Sequence, residues 1–150
     1  MFSAERILFP TDFSDCSKSV LPYVLSFAEA HKSHVTLLNV VEFEEIQHLT
    51  SAEGAREVEG SYLAKRTEAL QAMVGPHPEL HIDFVVREGH AFKEILRLAD
   101  ESDIDIIIMA THGRTGFEHI LIGSVAEKVV RHSERPVLIV KPQKDAFRKE

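Results

Sequence analysis

Short apolar runs and longer segments of helical period alternate along the chain. Four runs are nearly continuous and one alternates apolar with polar residues; in chain order the five cover residues 7–9, 35–41, 80–86, 104–109 and 137–140. Continuous runs are typical of strands covered on both faces, whereas the alternation in 80–86 indicates a strand at the edge of a sheet. The pattern therefore predicts five strands.

Four segments between and after these runs repeat their apolar residues at helical spacing. The first three stripes run through residues 20–31, 58–73 and 92–99. The fourth helix is predicted to begin at Ser124, because Ser124 and Glu127 have the spacing of a capping box. Pro22 is unfavourable inside a helix, so the first helix is predicted to begin near Ser17 or later.

Strands that alternate with helices are typical of the α/β class. Right-handed crossovers place the helices on both faces of a parallel sheet, so we predict a single domain, residues 1–150, built on a doubly wound five-stranded sheet. Residues 43–55 form the one long polar connection. We expect a mobile loop there, which could cover the carboxyl edge of the sheet.

Composition and charge narrow the classes of partner. The chain is 44% hydrophobic and 27% charged, and its 17 Lys and Arg against 24 Asp and Glu give a net charge of −7. A negative net charge is unfavourable for binding nucleic acid or an anionic membrane. A phosphorylated ligand would therefore need positive charge or hydrogen-bond donors at its own site. With a lone Cys16, no signal-peptide core and no apolar run of about 18 residues, we expect a cytosolic protein.

The loop before the last helix holds the residues best suited to bind an anion. It places Gly113, Gly116 and Gly123 between a strand and a helix N-terminus. Ligands of parallel sheets bind beyond the carboxyl ends of the strands, glycines allow close approach to the backbone, and free N–H groups of a first helical turn attract phosphate. Ser124 adds a hydroxyl group, and Arg114 adds a positive charge unless it is only solvated.

Other reactive side chains have competing interpretations. His112 and His119 are either phosphate contacts or solvated loop residues, and Cys16 is either a thiolate near a helix start or an inert thiol. No near pair of histidines has the helical ligand spacing of a zinc site, so no structural metal is predicted. The pairs compared are His31 with His34 and His77 with His81.

Four segments in order resemble the universal stress protein family over essentially the whole chain. They are ILFPTDFS, MATHGRTG, LIGSVAEKVV and RPVLIVKP. ATP-binding members of that family carry G-x2-G-x9-G-[S/T]; Gly113, Gly123 and Ser124 match its second half, whereas Ala110 stands at its first position. The resemblance implies a nucleotide-binding α/β sandwich with strand order 3-2-1-4-5, in which the first and fourth strands are neighbours.

The same resemblance implies ATP, or ADP or AMP, as the ligand, with Mg²⁺ on the phosphates. Adenine and ribose should meet the ends of the first two strands, and the phosphates the glycine loop and the last helix. The implied contacts are Pro10, Thr11, Asp12, Val40, Val41, Ala110, His112, Gly113, Arg114, Gly116, Gly123, Ser124 and Val125. Asp12 is suited to accept a hydrogen bond from the ribose or the adenine amino group, although Asp12 or Ser14 could instead cap the first helix.

The function favoured by these residues is an ATP-binding regulatory module of the stress response. Two alternatives stay open. One is a family member that has lost ATP binding and acts as an interaction module, as Ala110 would allow. The other is a slow ATPase or autophosphorylating protein with Ser124 or Thr111 as the acceptor, although no general base accompanies them.

The last apolar run is predicted to lie at an edge of the sheet. It consists of Val137, Leu138, Ile139 and Val140. The resemblance implies homodimers, and pairing through this strand would cover its unpaired backbone groups with one self-complementary patch. The alternative is that the tail KDAFRKE folds back over the edge. A regulatory protein partner has no local signature in the sequence.

Overall fold

The computed structural model describes residues 1–49, 55–112 and 122–141. Five strands lie in these ranges: β1 (Arg6–Pro10), β2 (His34–Val41), β3 (Ile82–Glu88), β4 (Ile106–Ala110) and β5 (Val137–Val140). The helices there are α1 (Asp15–His31), α2 (Phe43–Leu49), α3 (Ala55–Val74), α4 (Ala91–Glu101) and α5 (Ser124–His132). None of these helices is both long and apolar enough to cross a bilayer.

All five strands run parallel in one sheet with the order β3-β2-β1-β4-β5. This confirms the predicted α/β class and strand order, and it places the alternating strand β3 at an edge. Ile7 of β1 lies between Val35 of β2 and Ile106 of β4. β1 is therefore the central strand of the sheet, with β2 and β3 on one side and β4 and β5 on the other.

Two apolar layers cover the sheet, one on each face. Ile7 and Phe9 of β1 pack into the layer that contains Val24 of α1, whereas Leu8 packs into the layer that contains Val129 of α5. Successive side chains of a strand point to opposite faces, so one buried strand serves both layers. All five of these side chains are fully buried, which explains the continuous apolar run in β1.

Two helix starts differ from the sequence prediction. α1 begins at Asp15 and holds Pro22 in its interior, so the later start near Ser17 is wrong. Pro22 lies on the exposed side of α1, where water can hydrate the carbonyl that loses its N–H partner. α5 begins at Ser124 as predicted, but its N-cap is Gly123 and no side chain caps it, so the capping box is wrong.

The long polar connection after β2 is partly helical. Residues 43–49 form α2, and Glu45 of this helix pairs with Arg66 of α3, with 2.9 Å between Oε2 and a guanidinium nitrogen. Tyr62 donates a second hydrogen bond to the same carboxylate at 3.3 Å. The prediction of a loop is therefore wrong for 43–49, and residues 50–54 lie outside the described ranges.

Candidate functional site

The crevice of this sheet opens where β1 and β4 lie side by side. The chain leaves β1 toward α1 on one face, and it enters α5, after β4, on the other face. Neighbouring parallel strands whose connections diverge leave a gap beyond their carboxyl ends, which is the usual ligand site of a doubly wound fold. The fold thus places the loop after β1 opposite the N-terminus of α5.

A cavity of about 220 Å³ occupies this gap. Nine of the residues predicted from the sequence line it: Pro10, Thr11, Asp12, Val40, Ala110, His112, Gly123, Ser124 and Val125. These residues come from three strand ends and one helix N-terminus, so the fold joins segments more than 100 positions apart in the chain. Their convergence makes this cavity the candidate functional site.

Val41 is the predicted contact that the structure places elsewhere. Its side chain is fully buried and does not line the cavity. Adjacent strand residues point to opposite faces, so Val40 and Val41 could not both face the crevice. The carbonyl of Val41 instead accepts a hydrogen bond from the amide of Gly89 at 3.0 Å. Val40 is therefore the valine in position to touch a ligand.

Several lining residues were not singled out as ligand contacts by their sequence. They are Ser17, Leu38, Ala91, Ile95, Met109 and Ala126, together with Thr111, which had been considered only as a phosphoryl acceptor. Leu38 and Met109 belong to continuous apolar runs, in which the sequence does not distinguish core from cavity wall. Ala91 and Ile95 come from α4, whose contribution depends on how that helix packs against β2.

A buried polar network fixes the loop after β1. The hydroxyl of Thr11 accepts hydrogen bonds from the amide of Phe13 at 3.1 Å and from the hydroxyl of Ser17 at 2.6 Å. Asn39 donates to the Thr11 carbonyl at 2.8 Å, and the Thr11 amide donates to Leu38 at 2.8 Å. Thr11 is 6% exposed, so its polar groups chiefly hold the loop in place.

Ser14, rather than Asp12, is the N-cap of α1. Its hydroxyl oxygen accepts a hydrogen bond from the amide of Ser17 at 3.2 Å. Asp12 instead accepts from the amide of Ser14 at 3.0 Å. A carboxylate has about four acceptor positions, so this contact does not use up its capacity. Asp12 is thus oriented by the backbone at the cavity wall, where its charge can meet a polar ligand.

The N-terminus of α5 supplies hydrogen-bond donors to the opposite wall. The first helical bond runs from the amide of Glu127 to the carbonyl of Gly123 at 2.9 Å. The amides of Ser124, Val125 and Ala126 precede it and have no acceptor within the helix. With the positive end of the helix dipole, they form an arrangement that stabilises anions.

Ala110 occupies a regular strand position. It is the last residue of β4 and pairs with Val140 of β5. A strand residue has a negative φ, so this backbone does not require glycine. The departure from glycine at this position therefore causes no backbone strain.

The predicted phosphate loop falls partly within the described ranges. Gly113, Arg114, Gly116 and His119 lie outside the described residues. Among the residues that line the described cavity, none is a lysine or an arginine, and Asp12 is the one carboxylate. His112 lies at the cavity with its Nδ1 2.9 Å from the hydroxyl of Thr111.

Comparison with protein families gives a match over almost the whole chain. The model of the universal stress protein family matches residues 3–141. The universal stress protein MJ0577 of Methanocaldococcus jannaschii is 35% identical over 153 aligned positions, which cover 91% of this chain and 94% of that protein. A second universal stress protein of the same organism, MJ0531, is 33% identical and covers 93% of this chain and 84% of its own length.

Solved structures agree with this assignment. The structure of MJ0577 superposes with a TM-score of 0.75 at 31% identity, covering 93% of this chain and 97% of that one. The universal stress protein UspA of Lactobacillus plantarum gives 0.72 at 21% identity, with 92% and 98% covered. A universal stress protein in complex with cAMP gives 0.61 at 21% identity, with 94% and 99% covered. The last two share the fold.

Proposed function

The chain belongs to the universal stress protein family, and from this premise we propose that it binds ATP and acts as a dimeric, nucleotide-dependent regulatory module in the cytosol. One observation carries the proposal. A single cavity is lined on one side by Asp12 and Val40 and on the other by the first residues of α5, whose amides have no acceptor within the helix. An apolar wall, an oriented carboxylate and an anion-binding helix end are the three features that a nucleoside phosphate needs.

Adenine and ribose fit the half of the cavity formed by β1 and β2. Val40 and Leu38 offer an apolar wall for the face of a purine, and Asp12 offers an acceptor for a ribose hydroxyl or the adenine amino group. The described walls enclose about 220 Å³, which is less than the roughly 300 Å³ at the lower end for whole small-molecule sites. A complete nucleotide would therefore extend beyond the described walls.

The phosphates would meet the amides of α5 and the hydroxyl of Ser124. Ser124 is exposed at the first helical position and lines the cavity. The described wall has no lysine or arginine, so Mg²⁺ on the phosphates is expected to supply positive charge there. Asp12 adds a negative charge to the same cavity, which makes such compensation more important.

Titration of the purified protein with ATP tests this proposal. Protein denatured to release its ligand should yield an adenine nucleotide, and ligand-free protein should bind ATP more tightly with Mg²⁺ than with EDTA. Gly123→Val should abolish binding, because the new side chain would stand at the N-terminus of α5. The backbone of Gly123 is extended, with φ −71° and ψ 161°, a conformation that valine also adopts.

Gly60→Val is the matched control for that variant. Gly60 lies in α3, away from the cavity, and a Cβ atom there has no neighbour within 4 Å. ATP affinity should stay unchanged in this variant. Absence of any adenine nucleotide together with no heat at millimolar ATP would rule out ATP binding. Titration with cAMP in parallel separates the two nucleotides, since a structural relative was solved with cAMP.

Labelled ATP separates a binding module from a slow enzyme. Recovery of intact ATP supports the module, whereas released phosphate or labelled protein supports hydrolysis or autophosphorylation. Of the two candidate acceptors, Ser124 is exposed, whereas Thr111 is 5% exposed and contacts His112. Any phosphoryl transfer to the protein should therefore occur at Ser124 and be lost in Ser124→Ala.

A further inference from the structure

Two histidines and an aspartate meet at the end of the sheet opposite the nucleotide cavity. His34 is the first residue of β2, and His81 directly precedes β3. Asp83 is the second residue of β3. About six residues of β2 separate His34 from Val40, which is roughly 20 Å along an extended strand. This cluster is thus separate from the cavity proposed to hold ATP.

The strand register places the three side chains on one face. Val35 of β2 pairs with Ile82 of β3, and Thr36 pairs with Asp83. His34 consequently lies opposite His81, and Asp83 lies two positions beyond His81, on the same side of the sheet. The amide of Val35 donates to the carbonyl of His81 at 2.9 Å, so backbone hydrogen bonds fix the spacing of the cluster.

The potential ligand atoms lie about as far from one another as the ligand atoms of a metal site. Nε2 of His34 lies 2.8 Å from Oδ2 of Asp83, Nε2 of His81 lies 3.9 Å from Oδ1, and one potential ligand atom from each residue lies within 4.8 Å of the others. In a tetrahedral zinc site with bonds of about 2.0–2.1 Å, neighbouring ligand atoms are about 3.3 Å apart. The observed separations lie on both sides of that value.

A side-chain rotation is needed before both imidazoles can share one ion. The two imidazole rings are stacked, with centroids 3.9 Å apart and planes 17° apart, so one ring must turn before both nitrogens point at one ion. The side chain of His81 is 73% exposed, which leaves it room to turn. The pair between His34 and Asp83 is exposed as well, and exposed ion pairs contribute little stability that would oppose the change.

We propose that His34, His81 and Asp83 bind one divalent transition-metal ion, with Zn²⁺ as the best match. Two neutral imidazoles and one carboxylate suit zinc, and water would take the fourth position. The sequence predicted no metal site, because it compared histidines along one helix, whereas these ligands come together across two strands. Bound metal links the start of the edge strand β3 to β2.

Zinc titration of the full chain, free of any affinity tag and stripped with EDTA, tests the site. Calorimetry should give one Zn²⁺ per chain, and Zn²⁺ should raise the melting temperature. His81→Asn and Asp83→Asn should each weaken Zn²⁺ binding at least about tenfold. Even the loss of a residue that only orients a metal ligand typically lowers metal affinity by about 10–100-fold. Both side chains are more than half exposed, so the EDTA-treated variants should melt like the parent.

His77→Asn is the matched control. Nδ1 of His77 contacts Oε1 of Glu79 at 3.1 Å, which gives a similar imidazole-carboxylate pair without a second histidine. This variant should bind Zn²⁺ like the parent protein. The site is disproved if Zn²⁺ binds at less than one per chain, if His81→Asn changes the affinity less than threefold, or if His77→Asn loses as much affinity. ATP titration plays no part in these readouts, so the two proposals fail separately.

Discussion

Gly89 shows how a single residue constrains the connection between β3 and α4. Its φ is +142°, and a Cβ atom there would lie 3.0 Å from Cγ of Glu94. Residues that carry a side chain rarely adopt this backbone conformation. Glu94 cannot easily move away, because it is only 7% exposed and its carboxylate lies 2.9 Å from the guanidinium of Arg97. We expect Gly89→Ala to lower the free energy of unfolding by about 1–3 kcal/mol, as measured by urea denaturation.

Gly60→Ala provides the comparison at the residue scale. Gly60 is helical with open space around its Cβ position, so alanine should stabilise the protein by up to about 1 kcal/mol. Equal stability of the Gly89→Ala variant and the parent would show that this backbone tolerates an ordinary residue.

The sequence located most of the candidate site residue by residue, and the exceptions have physical reasons. Gly123 and Ser124 were found because loops after strands and helix starts leave recognisable residues, whereas the contact at Asp12 was implied by the family resemblance. The choice between Val40 and Val41 needed the strand's orientation, which a continuous apolar run does not reveal. Roles in ligand binding for all of these residues stay predictions.

The presence of each strand was predicted more accurately than the residues at which it begins. β3 and β4 begin at Ile82 and Ile106, two residues later than their apolar runs. Leu80 is apolar but its amide bonds to the carbonyl of His77 in a turn, so local apolarity did not mark a strand. The helix α2 was missed because its seven residues are too few to show a helical period against the polar connection around them, and Glu45 is held by a contact with α3.

An ion pair that connects β3 to α4 gives a pH dependence at the scale of elements. The guanidinium of Arg87 donates a hydrogen bond of 2.5 Å to Glu101, and this bond lowers the pKa of Glu101 from its ordinary value of 4.5. A carboxyl group whose pKa is lower in the folded state contributes stability at pH values above its unfolded-state pKa. This contribution is lost as the pH falls through the folded-state pKa. The stability advantage over Glu101→Gln should therefore be present above about pH 4.5 and vanish at lower pH.

Urea denaturation across this pH range measures the effect. Because the side chain of Glu101 is half exposed, the advantage should be small and should shrink with added salt. Glu29→Gln changes an exposed carboxylate on α1 and serves as the charge-matched control. A difference between parent and Glu101→Gln that stays constant from pH 3 to pH 7 would contradict the role assigned to the ion pair.

At the scale of the molecule, periodicity and connection order were enough to predict the α/β class. Five apolar runs with helices between them leave few parallel topologies, and the family resemblance supplied the order that the sheet shows. Periodicity along the chain does not predict which side chains meet across neighbouring strands. His34 and Asp83 are 49 positions apart, and only the register of β2 with β3 brings them together.

The edge strand β5 carries the last prediction, because its pairing decides the assembly of the whole protein. β5 is the final strand of the sheet, pairs with β4 on one side, and leaves Leu138 39% exposed. The tail that could cover it lies outside the described residues. Pairing of two copies would complete the backbone hydrogen bonds of both edges. Light scattering at micromolar concentration should give twice the chain mass of 16.9 kDa.

Leu138→Lys should convert that dimer to a monomer, since it places two like charges at a self-complementary contact. Phe2→Lys makes the same change at an exposed apolar residue that precedes β1, and it should stay dimeric. A parent protein with the mass of one chain would exclude the dimer at that concentration. A dimer that persists in Leu138→Lys would instead place the interface on another surface, and β5 would then need its own tail as cover.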